Sequence, residues 1–67
     1  MSKEADALLE YALGTEDDAI SMYRYMIKHL PKQYSPVLMH ILKEEKDHAR
    51  MLKQLLHGKR PTGDRDE

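Results

Sequence analysis

Apolar residues recur every three or four positions through the first part of the chain, at Ala5, Leu9, Ala12/Leu13, Ala19/Ile20, Tyr23, Met26/Ile27 and Leu30. That spacing draws one stripe along a helix, and no strand-like alternation competes with it. It predicts a first helix from Ser2 or Lys3 to about His29. Gly14-Thr15 offers a rival start, with Thr15 and Asp18 as a capping box. The stripe keeps its phase across Gly14, so a continuous helix is expected, with the glycine permitting close packing. Pro31 stops the helix, and Ser35-Pro36 reads as an N-cap followed by proline at the first helical position. A second stripe follows at Leu38, Ile41/Leu42, Ala49, Leu52 and Leu55/Leu56, predicting a helix to about His57. Gly58 can supply a left-handed cap there, and Pro61 prevents continuation. Residues 1–58 thus read as one helical hairpin and 59–67 as a polar, disordered tail.

Such a hairpin is unfinished. Each stripe covers part of the other, yet most of the combined apolar face still meets water. Pairing two hairpins gives a four-helix bundle, the smallest arrangement that hides all four stripes. The expected fold class is therefore all-α, an antiparallel hairpin that dimerises into a bundle. A chain of 67 residues points the same way, because small domains need disulfides, metal or a partner. The absence of cysteine removes disulfides, thiolate zinc sites and iron–sulfur clusters. Metal held through oxygen and nitrogen, self-association, or both remain.

The gaps in the stripes carry the chemistry. With Leu38 as heptad position a, Ile41 is d, and the next a and d are Glu45 and His48 before Leu52 and Leu55 resume. In the first helix Leu9 and Ala12 are followed by Glu16, then Ala19 and Tyr23. Glu16 lies roughly 21 Å along the axis from Leu30, and the midpoint of Glu45 and His48 lies roughly 17 Å beyond Ser35. In an antiparallel hairpin the three side chains can meet. A twofold dimer would gather four glutamates and two histidines about one point.

Four carboxylates in a bundle core repel one another, and each loses on the order of several kcal/mol of hydration. Two divalent cations balance them, with neutral imidazoles completing the ligation. A Glu from each of two helices plus Glu-x-x-His from each of the other two is a known di-iron arrangement. A lone Glu-x-x-His is commonly surface decoration, and one polar core residue can simply set register. Three ionisable core positions at one height favour metal. Oxygen-rich ligands with one imidazole per metal suit Fe(II), with Mn(II) as the alternative.

Charge narrows the partners. Eleven basic and twelve acidic side chains are well mixed, with net charge −1, so no nucleic-acid face and no uniformly acidic tract stands out. Apolar runs are far too short for a membrane span, and the N-terminus lacks a secretory core. A cytoplasmic location is expected.

Two segments then point beyond spacing. Glu16-Asp17-Asp18-Ala19-Ile20-Ser21-Met22-Tyr23 resembles the Glu-x-x-Ala-x-x-x-Tyr stretch of rubrerythrin and ferritin helices. Glu44-Glu45-Lys46-Asp47-His48-Ala49 resembles the Glu-Glu-Lys-x-His-Ala segment of the same ferritin-like superfamily. The nearest resemblance is to the encapsulated ferritins, two-helix members that complete a ferroxidase centre across a dimer interface; it covers Leu8 to His57. It implies Glu16 and Glu45 as metal-binding, catalytic carboxylates, Glu45 as a bridge, and His48 as a terminal nitrogen ligand. It also implies a hydrogen-bonding role for Tyr23, which core packing explains equally well. A homodimer or higher homo-oligomer oxidising Fe(II) to Fe(III) at a di-iron site is the expected activity. An encapsulin-type shell is a further implied partner, with a protein nanocompartment as the alternative location. Against that, Gly58 to Glu67 does not look like a shell-targeting peptide. The second helix pair and cysteine-rich module of rubrerythrins proper are missing, so peroxide reduction fed by that module is not supported. Two rival readings are a non-catalytic metal fastener and a metal-free helical adaptor. His40 and Glu44 lie off the stripe and read as solvated surface. His29 and His57, near helix C-termini, suit the helix dipole without metal. Asp17, Asp18 and Asp47 can steer cations or simply be solvated.

Overall fold

The computed structural model describes residues 3–58. Helix α1 spans Lys3–His29, a single 3-10 turn spans Lys32–Tyr34, and helix α2 spans Ser35–Gly58. The hairpin foreseen from the two stripes is the fold. The reading of residues 59–67 as a tail lies outside the described residues, as does Ser2.

Helix α1 runs unbroken through Gly14 because the stripe demands it and Thr15 does not interrupt it. The Thr15 hydroxyl donates to the Tyr11 carbonyl at 3.1 Å, one turn back, so it serves the continuing helix and caps nothing. Close packing at Gly14 is not what the hairpin uses: a Cβ built there meets no atom within 4 Å. Glu4 and Asp6 sit in the first turn of α1 and Lys28 and His29 in its last, both favourable to the helix dipole.

The turn differs in detail from expectation. The Leu30 amide donates to the Met26 carbonyl at 2.8 Å, and the Tyr34 amide to the Pro31 carbonyl at 3.0 Å. Ser35, with φ −59° and ψ −43°, is already helical and donates its amide to the Lys32 carbonyl. It is therefore the first residue of α2 and not an N-cap: the 3-10 turn feeds straight into the helix. Pro36 still fits, since an amide hydrogen in a first helical turn has no intrahelical acceptor. At the far end Gly58 is the last residue of α2 and has no left-handed φ, so the expected glycine cap is absent from the described residues.

The hairpin measures 46 × 23 × 11 Å, a layer one helix thick. Its interior is small. Leu38 and Ala49 are the buried apolar side chains among the described residues; the remaining stripe positions are half-buried, except Leu30 and Leu55, which are exposed. Leu8, Tyr11, Met22, Tyr25, Val37 and Met51 are each at least half exposed. A single hairpin leaves them to water, an arrangement that apolar burial opposes.

Candidate metal centre

The centre forms where the stripes of α1 and α2 are interrupted. Glu16 stands on α1 between Ala12 and Ala19. Glu45 and His48 stand one turn apart on α2, between Ile41 and Leu52. Antiparallel register brings them together: one ligand atom from each lies within 4.8 Å of the other two. Nδ1 of His48 is 3.4 Å from Oε1 of Glu45 and 3.9 Å from Oε1 of Glu16. The carboxylates are largely covered, at 24% and 23% side-chain exposure, whereas the imidazole is 53% exposed. The triad is roofed by its own hairpin on one side and open on the other.

Electrostatics reveal the tension in this cluster. Oε1 of Glu16 is buried and has no hydrogen-bond partner. The Glu16 carboxyl is held above its ordinary range, foremost by a hydrogen bond shared with the Glu45 side chain. Lost hydration and the Glu45 charge push in the same direction, and His48 opposes them. The two carboxylates are thus crowded together, and Glu16 is short of water. A cation between them relieves both faults at once, so the residues fit a metal. The donors are two hard carboxylates and one imidazole, a set suited to Fe(II) or Mn(II) and poorly suited to soft thiophilic ions. One hairpin nevertheless offers three donating side chains, fewer than an octahedral cation takes.

A family model for rubrerythrin matches residues 7–67. The chain belongs to the rubrerythrin family. No curated protein and no solved structure matches it. The rubrerythrin family has a ferritin-like helical fold and binds iron, and the Glu16–Glu45–His48 cluster of this chain could hold a metal ion. The finer resemblance, to the encapsulated ferritins, is not reached by this match.

The other singled-out residues separate cleanly. Tyr23 is half-buried on the stripe, two turns beyond Glu16. His40 Nε2 lies 3.3 Å from Glu44 Oε2, with both side chains largely exposed. His29 stacks at a tilt on Tyr25, ring centroids 4.2 Å apart, away from the cluster. Asp47 pairs with Arg50 at 3.6 Å. Sequence reasoning missed one feature: a groove between the helices lined by Arg24, Lys46, Arg50, Lys53 and Asp17. The signal was present in the four- and three-residue spacing of Lys46, Arg50 and Lys53, but Arg24 joins them only once the helices are in register.

Proposed function

We propose that two copies of this chain pair through the open sides of their hairpins and oxidise ferrous iron at a shared di-iron centre. The observation that carries this reading is the half-built cluster: two crowded carboxylates, one orphaned buried oxygen, and a histidine whose side chain is 53% exposed, on a hairpin that leaves Met22, Val37 and Met51 to water. A second hairpin laid on that side brings another Glu16, Glu45 and His48, and covers apolar surface that is otherwise wet.

Bound iron would supply the redox chemistry, each ferrous ion giving one electron so that dioxygen is reduced by two. The chain's own residues do the rest. Glu16 and Glu45 provide charge to favour the ferric product, with Glu45 the nearer of the two to His48. His48 offers an imidazole nitrogen that binds only when unprotonated. Half-buried apolar residues along the stripes, Ala12, Ala19, Ile41 and Leu52, flank the cluster in sequence and would keep bulk water from the carboxylates once a second hairpin covers the open side. The hairpin itself has no described helix long and apolar enough to cross a membrane.

Anaerobic Fe(II) titration followed by sizing tests the assembly and its stoichiometry together. The expected result is a dimer holding about two ions, as four carboxylates and two imidazoles require. Admitting air should then consume oxygen and produce ferric absorbance, and Glu45→Ala should abolish both. Metal-driven pairing without oxygen consumption would instead identify a structural fastener.

A further inference from the structure

A second binding surface lies away from the metal cluster. Ile20 and Ala49 floor a solvent-open groove of about 390 Å³, and Arg24, Lys46, Arg50 and Lys53 rim it, with Asp17 as its one acidic lining residue. The lining carries four positive charges and one negative on a chain whose net charge is −1. Among the described residues, Arg50 forms an ion pair, with Asp47 at 3.6 Å, while Arg24, Lys46 and Lys53 form none. Three cations from two helices, Arg24, Lys46 and Lys53, therefore converge on a partly apolar floor with no ion pair among the described residues, and Arg50 stands beside them. Their summed field repels each of them and, equally, draws an anion to the groove, with salt screening both.

Helical geometry keeps this groove apart from the pairing side. Lys46, Arg50 and Lys53 follow each other at four and three residues and share one face of α2. His48 lies two residues from both Lys46 and Arg50, roughly 200° round the helix. The groove and the open side of the metal cluster thus occupy opposite faces of the layer, and covering one leaves the other accessible.

We infer that this groove is an oxyanion site that takes phosphate, with Arg24 and Arg50 presenting planar donors from opposite helices and Lys46 and Lys53 adding charge. Guanidinium forks match phosphate oxygens, and lysine ammonium groups complete such a set as point charges. The inference does not depend on iron oxidation, because it rests on residues outside the cluster and is tested with metal absent. Orthophosphate and a short linear polyphosphate share the recognised chemistry and form the two arms of the test.

The full chain, freed of metal, should be titrated with each anion by calorimetry at constant ionic strength, with chloride as the control. Saturable binding of one anion per chain is expected, weakening as salt is raised. Arg24→Gln with Lys53→Gln should lower the affinity by about tenfold or more while circular dichroism stays unchanged. Tight binding of polyphosphate with little of orthophosphate would identify the phosphate chain as the occupant. Absence of saturation by either, equal response to chloride, or unaltered affinity in the double variant overturns the proposal. Should the double variant lose its helicity, Lys46→Gln alone supplies the same comparison from an exposed position.

Discussion

His48 and Glu16, on different helices and 32 residues apart in the chain, approach to 3.9 Å between Nδ1 and Oε1. That gap exceeds a hydrogen bond. The two groups face one another without joining, and the Glu16 oxygen is left with no donor. An ion placed among Glu16, Glu45 and His48 would join what the apo hairpin cannot. Metal should therefore stabilise the fold, because whatever binds the native state and not the unfolded chain shifts the equilibrium. At free Fe(II) or Mn(II) a hundredfold above its dissociation constant the gain is about 2.7 kcal/mol. Thermal melts with and without a chelator measure it. An unchanged midpoint would remove metal from this cluster.

Acidity should act on the apo protein in an unusual direction. A carboxyl raised in the folded state favours its protonated form there, so its stability contribution is present below the ordinary value of 4.5. It is lost as pH rises through the raised folded value. Relative to Glu16→Gln, which copies the neutral form, the wild-type apo chain should lose stability as pH climbs through that window. The difference between the two denaturation curves isolates the effect from other carboxylates. Bound metal should reverse its sign, since a cation favours ionised Glu16. A pH-independent difference would show that Glu16 is not strained.

Gly14 gives a prediction about the backbone. It lies inside α1, where glycine costs about 1 kcal/mol relative to alanine. Nothing within 4 Å would meet an added Cβ. Gly14→Ala should therefore stabilise the chain by roughly that amount, measurable by urea unfolding at fixed protein concentration. A loss of stability would mean that another chain approaches the backbone at Gly14.

The hairpin and the heart of the cluster were legible in the residue pattern for one reason. Leu38, Ile41, Leu52 and their counterparts on α1 define faces independent of tertiary detail, and a Glu or His breaking that phase is conspicuous. Ends were less legible. Ser35 looks like an N-cap by residue type, but a preceding 3-10 turn shifts the first helical residue onto it. Gly58 looks like a left-handed stop, yet glycine is free to remain helical. The cationic groove was hidden in a balanced composition because its charges come from both helices, and only their register gathers them.

Assembly yields the last prediction. Leu8 and Val37 are 70% and 65% exposed in the single hairpin, on either helix. Val37 lies four residues before Ile41 and eleven before His48, on the side of α2 that His48 faces. If a second hairpin covers this side, burying a lysine there leaves a charge without water or partner, and pairing should weaken by at least tenfold, about 1.4 kcal/mol. Leu8→Lys with Val37→Lys should thus move the sedimentation profile from dimer toward monomer. The same pair should also lower iron stoichiometry, although neither residue touches Glu16, Glu45 or His48. Loss of pairing and of metal together would tie the centre to the interface. Full metal binding by a monomeric variant would instead mean that three side chains from one hairpin suffice, and the shared centre would have to be abandoned.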